Sequence, residues 1–179
     1  MHVSGYQGLR TDKVIQALGI TKGAFYHYFP DKKTAVMAVI HEVYAPEALG
    51  RWEQVVKGAN IPDNFIKILT ELRDTVTPNN VSIGGRLNNL MQEMSSVDEE
   101  IRLQLELLTT EMLVKIKAGM REAKERGEWR SPGTPEEDAM FVLVSVMGAY
   151  SIAKLYKSKT IFDLGLNRLI LWVKSWKTV

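Results

Sequence analysis

Thr11-Asp12-Lys13-Val14-Ile15-Gln16-Ala17-Leu18-Gly19-Ile20-Thr21-Lys22-Gly23-Ala24-Phe25-Tyr26-His27-Tyr28-Phe29-Pro30-Asp31-Lys32-Lys33 is the stretch that decides the fold. Val14, Ile15 and Leu18 give one short helix an apolar face. Gly19 supplies the turn after it. Ile20 adds an apolar side chain, and Thr21 brings an oxygen to cap a second short helix. Two short helices about a glycine turn are the plan of a helix-turn-helix. Phe25 and Phe29, four apart, form the inner face of the second helix. Lys22, Tyr26 and His27 then look outward.

Charge placement sharpens this reading. With Thr21 as N-cap, Lys22 falls in the first turn of its helix. With Asp31 as N-cap, Lys32 and Lys33 open the next. Cations there oppose the helix dipole, each at a cost of a few tenths of a kcal/mol. Free amides with lysines beside them are good phosphate sites. Residues 1–33 carry a net +3 while the rest of the chain sums to −1. A basic head on a neutral body is an electrostatic footprint for nucleic acid or another anionic surface.

Outward from this stretch the pattern stays helical. Ile101, Leu105, Leu108, Met112 and Ile116 keep steps of three and four, as do Leu166, Leu169, Ile170 and Val173. Ser96-Val97-Asp98-Glu99 and Thr134-Pro135-Glu136-Glu137 have the capping-box pattern. Gly127 sits where a left-handed residue closes a helix. Pro62, Pro78 and Gly84-Gly85 punctuate the middle. The expected helices are 11–18, 22–28, 32–45, 47–57, 62–76, 86–95, 97–126, 135–157 and 161–177. The last two are apolar on more than one face, which predicts cover by a second subunit.

Composition excludes much else. The 179 residues contain no Cys, so disulfides, thiolate metal sites and cysteine nucleophiles are ruled out. Three scattered His (His2, His27 and His41) are too few for a convincing zinc site. No Walker loop, Gly-x-Gly-x-x-Gly, Gly-x-Ser-x-Gly or His-Glu-x-x-His is present. No catalytic residue, metal or cofactor is expected, and an enzyme is disfavoured. No secretory signal is visible and no apolar run approaches a membrane span. A cytoplasmic protein without a membrane partner is therefore the default.

Gly19-Ile20-Thr21-Lys22-Gly23-Ala24-Phe25-Tyr26-His27-Tyr28-Phe29-Pro30-Asp31-Lys32 closely resembles the DNA-binding signature of the TetR (tetracycline-repressor-like) family. The resemblance implies an all-α fold. A helix-turn-helix headpiece at 1–45 would precede a ligand-binding and dimerisation body at 46–179. It implies DNA contacts by Thr11, Thr21, Lys22, Gly23, Tyr26, His27, Tyr28 and Lys32. The recognition helix would enter the major groove, and Lys32 would hold the backbone. Gly23 would permit close approach to DNA. The pattern departs from the family at its start. Members carry a helix of some fifteen to twenty residues ahead of the Gly-Tyr matching Gly5-Tyr6, and here only Met1 to Ser4 precede it. Without that helix, Val14, Leu18, Phe25 and Phe29 are expected to lose apolar cover, and DNA binding to suffer.

The resulting expectation is a ligand-responsive transcriptional repressor. It would bind a double-stranded DNA operator as a homodimer through helices near 135–157 and 161–177. A small apolar or amphipathic effector would release it. Asn89, Glu93, Met94, Met112 and Tyr150 are the candidate effector contacts, drawn from a body rich in Met and aromatic residues. The alternative is a helical-bundle ligand sensor or interaction protein whose DNA binding is impaired by the absent first helix.

Overall fold

The computed structural model describes residues 5–57 and 60–178. Among them every regular element is helical: α1 (Thr11–Leu18), α2 (Lys22–Tyr28), α3 (Lys32–Val39), a π-helical turn (Ile40–Tyr44), α4 (Ala45–Glu53), α5 (Ile61–Thr75), α6 (Arg86–Met94), α7 (Glu99–Glu125), α8 (Pro135–Tyr156) and α9 (Lys159–Trp176). The one β feature among the described residues is an isolated antiparallel bridge, Trp129 to Lys177.

Local chemistry sets most boundaries. Gly19 takes φ +64 after α1, and the amides of Gly19 and Ile20 close back on Gln16 and Ile15. Such left-handed geometry costs an L side chain roughly 1–2 kcal/mol, which glycine avoids. Thr21 accepts from the Ala24 amide and Asp31 from the Thr34 amide, capping α2 and α3. Thr134 and Glu137 form the reciprocal capping box expected for α8. The cap of α7 differs from expectation. Asp98, not Ser96, accepts from the Ile101 amide, so the helix starts at Glu99. A carboxylate beside the positive helix end outbids a hydroxyl two residues earlier.

Pro46 does not end a helix. From Lys32 to Glu53 the helical path is unbroken, through the wide turn at Ile40–Tyr44. Proline lacks an amide and its ring crowds the carbonyl four residues back. Ahead of Pro46 the Ala45 amide reaches Ile40 O instead, the five-residue span of a π-turn. The ring is thereby accommodated, and the two helices expected at 32–45 and 47–57 are one path.

The body core gathers Trp52, Phe65, Leu69, Met94, Ile101, Leu105, Ile116, Met120, Phe162 and Leu166, all buried. Helix α8 packs against α7 and α9, and α5 against α9. Gly165 receives the Ala149 side chain, at 3.1 Å from where a Cβ would stand, so α8 and α9 approach closely. Helix α8 is, by length and composition, long and apolar enough to cross a membrane, contrary to the sequence expectation. Here it is a core helix, with Ala139, Val142, Leu143, Val146 and Ala153 buried. Its other side is uncovered. Phe141, Val144, Gly148, Ile152 and Leu155 make an exposed stripe with steps of three and four. Exposed Leu164, Arg168 and Leu171 of α9 have the same spacing.

Candidate nucleic-acid interface and effector cavity

In the headpiece, Phe25 and Ile15 are buried while Val14 and Phe29 are half-buried. Leu18 is 62% exposed, unlike Phe25. Phe25 meets Tyr26 edge-on and tilts against Phe29. These contacts fix α2 so that Lys22, Gly23, Tyr26, His27 and Tyr28 all stand exposed. Tyr28, at 75% exposure, meets His27 edge-on. An added Cβ at Gly23 would meet nothing closer than Thr21 Oγ1 at 3.9 Å. No contact inside the described chain therefore demands glycine there.

Two expected contacts converge. Thr11 Oγ1 and Tyr26 Oη lie 3.2 Å apart, bringing the start of α1 to the recognition helix. The Lys32 ammonium lies 4.5 Å from the Tyr6 ring centre and 3.5 Å from Gln7 O. That contact orients it without neutralising it. Lys13 and Lys22 have no ion pair among the described residues. Lys33 differs from its neighbour. It pairs with Asp98 at 3.1 Å and Glu100 at 2.6 Å, both at the start of the α7 region. Those partners hold its ammonium above the ordinary lysine range and withdraw it from the anion-binding face. Lys33 is a tie from headpiece to body, and its separation of 65 residues from Asp98 hid that from sequence reasoning.

Glu93 is a second tie. Its carboxylate accepts from the Tyr6 amide at 2.7 Å and the Gln7 amide at 2.8 Å. It therefore grips the segment entering the headpiece and stands outside the cavity wall, unlike the expected effector anchor. The four-residue step from Asn89 to Glu93 identified one face of α6, but that face meets other elements. Asn89 donates to Ile83 O and accepts from Lys154 Nζ. Met94 is fully buried in the core.

A cavity of about 240 Å³ opens in the body between α4, α5, α6, α7, α8 and α9. Met112 and Tyr150 line it, as the sequence suggested. With them stand Trp52, Leu143, Met147 and Phe162 on the apolar side, and Tyr44, Glu47, Arg51, Arg86 and Asn88 on the polar side. Sequence reasoning missed the polar set. One signal was available: Gly84-Gly85 marks a close approach, since a Cβ at Gly85 would stand 3.1 Å from the Tyr150 ring. Burial raises the phenol of Tyr150, against the opposing pull of Arg51 and a Thr75 hydrogen bond. Burial raises Tyr44 likewise. Both phenols remain neutral donors at ordinary pH. Asn88 is spoken for, donating to Ser151 Oγ at 3.0 Å. No group of three His, Asp or Glu suited to a metal occurs among the described residues.

With this geometry in hand, residues 1–38 match the family model described as "Bacterial regulatory proteins, tetR family". The N-terminal headpiece is thus similar to the DNA-binding segment of that family. A curated relative is the transcriptional regulator AcuR of Cereibacter sphaeroides, 25% identical over 154 residues, spanning 84% of this chain and 69% of the relative. Among solved structures, the regulatory protein TetR from Rhodobacter sphaeroides superposes with TM-score 0.79 at 24% identity. That match covers 94% of this chain and 91% of that one. A cysteine mutant of the TetR-family regulator CifR, complexed with a 26-bp double-strand operator DNA, gives TM-score 0.80 at 17% identity. It covers 98% of this chain and 90% of its own. At these identities the structural likeness speaks for the fold alone: a helix-turn-helix headpiece carried on a helical body.

Proposed function

We propose that this chain is a TetR-family regulator that binds operator DNA as a homodimer and leaves it when a small effector fills the body cavity. The observation that carries the DNA-binding reading is α2. Phe25 anchors it while Lys22, Tyr26, His27 and Tyr28 are presented to solvent. In this reading Thr11 and Lys32, with Tyr26 of α2, take phosphate, and Lys22, His27 and Tyr28 meet bases or backbone. Gel-shift or anisotropy titration with the duplex upstream of the gene tests this. Salt-dependent, sequence-selective binding is expected, and its absence at low salt would reject the reading.

The uncovered α8 and α9 stripes support the homodimer. Two such helices from each subunit make a four-helix bundle about a two-fold axis. Gly148 has open space above it, allowing a partner helix close approach. Ala149 is turned toward Gly165 of its own chain, so it belongs to subunit packing and not to the stripe.

For the switch, the cavity, the headpiece ties and DNA spacing form one chain of contacts. Helix α6 contributes Arg86 to the cavity and Glu93 to the headpiece. An effector acts only through unequal affinity for DNA-competent and incompetent arrangements.

A further inference from the structure

We propose that the effector is a small amphipathic anion, of which a short-chain monocarboxylate is the simplest. Its head would lie between Arg51 and Arg86, and its chain would run toward Trp52, Met112 and Phe162. This rests on the effector reading above and specifies its chemistry.

Charge on the cavity wall carries the argument. Glu47, Arg51 and Arg86 are its charged residues. Two guanidiniums thus share one carboxylate. Glu47 lies 3.7 Å from Arg51 and 3.5 Å from Arg86, too far for good charge-assisted hydrogen bonds. All three side chains are part-exposed, so neither arginine is locked in an optimal pair. A ligand carboxylate could take the planar bidentate geometry that guanidinium favours. Tyr44 and Tyr150, both neutral phenols, add donors to the same wall. Helix α6 contributes Arg86, Leu87 and Asn88 to the lining. It has no side-chain cap and no acid in its first turn, which leaves a positive helix end at the cavity. Nearly every polar feature of the wall favours negative charge, and the deeper wall is apolar. A cationic ligand would face two arginines, and a neutral apolar one would leave them unsatisfied.

Calorimetric titration of the whole chain with hexanoate, 1-hexanol and hexylammonium tests the class. Hexanoate should bind at least tenfold more tightly than hexanol, and hexylammonium not measurably. Arg51→Gln and Arg86→Gln should each weaken hexanoate about tenfold and leave hexanol affinity unaltered. Glu47→Gln, which removes the internal competitor, should tighten hexanoate several-fold. This gain cannot be mimicked by misfolding. Equal affinity for hexanoate and hexanol, no binding of hexanoate, or preference for hexylammonium would each overturn the proposal. Operator affinity measured alongside separates the two readings. Hexanoate that binds through both arginines without changing DNA affinity upholds the anion site and sinks the switch.

Discussion

Removing the Glu93 carboxylate should loosen the headpiece without unfolding the body. The Glu93 oxygens accept the Tyr6 and Gln7 amides at 2.7 and 2.8 Å. Hydrogen bonds to a charged acceptor contribute about 1.5–3 kcal/mol each when shielded. Glu93 is half-exposed, which places Glu93→Ala nearer a total of ~2 kcal/mol for the two together. That corresponds to a roughly 30-fold shift in the ratio of docked to undocked headpiece. Glu93→Gln keeps one acceptor and should lose about half as much. Amide exchange measured by mass spectrometry provides the assay. Peptides from residues 5–29 should lose protection in Glu93→Ala while peptides from α7 and α9 keep theirs. Operator affinity should fall with the headpiece protection. Gly5→Ala approaches from the other side, because its Cβ would collide with the Glu93 carboxylate and the backbone there has φ +70. Unaltered headpiece exchange in both variants would refute the idea that this carboxylate holds the headpiece in place.

Other expectations are as direct. Lys32→Ala should weaken all DNA sequences alike and reduce the salt slope by about 0.9 per headpiece, whereas Lys22→Ala should alter base preference if Lys22 reads a base edge. Val144→Glu puts charge in the middle of the exposed α8 stripe and should yield monomers in sedimentation; a persistent dimer would remove that stripe from the interface. Gly119→Ala should destabilise by roughly 1–3 kcal/mol in denaturant melts, because its Cβ would collide with Val55 and press on Phe65 in the core. The Ile101 amide, then Lys33, hold the Asp98 carboxyl below its usual range. Its folded pKa is thus depressed. The α7 cap and the Asp98 half of the Lys33 tie persist above about pH 4 and are lost as pH falls through that lowered value. NMR of the Lys33 and Ile101 neighbourhoods should show this loss, and Asp98→Asn should keep the cap while leaving Lys33 tied through Glu100 alone.

Helix positions were legible because short-range chemistry writes them. Thr21, Asp31 and Thr134 cap within three residues, and Gly19 and Gly127 take positive φ where expected. The outward face of α2 was legible for the same reason, since Phe25 fixes its rotation. The break expected between 45 and 47 is absent, because the wider turn ahead of Pro46 accommodates its ring. At Asp98 two neighbouring candidates competed, and the charged one capped the helix. The cavity was half legible: Met112 and Tyr150 follow from composition. Arg51, Arg86 and Glu47 come together only when α4 and α6 pack, a fact of tertiary structure. Glu93 and Lys33 are the clearest case. Each spans more than sixty residues to its partner, and no periodicity of either helix contains that information.

The unbroken helical path from Lys32 to Glu53 gives the molecule a mechanical gear. At 1.5 Å per residue it is about 33 Å long. Its far end carries Glu47, Arg51 and Trp52 into the cavity, and its near end carries Lys32 beside the recognition helix. A stiff rod of that length converts a tilt of about five degrees at one end into roughly 3 Å at the other, a sizeable error against a DNA repeat near 34 Å. The wide turn at Ile40–Tyr44 sits near the rod's midpoint. Pro46 holds that turn in five-residue bonding, since four-residue bonding would press its ring on the Glu42 carbonyl, so the angle between the two halves is fixed by a single residue.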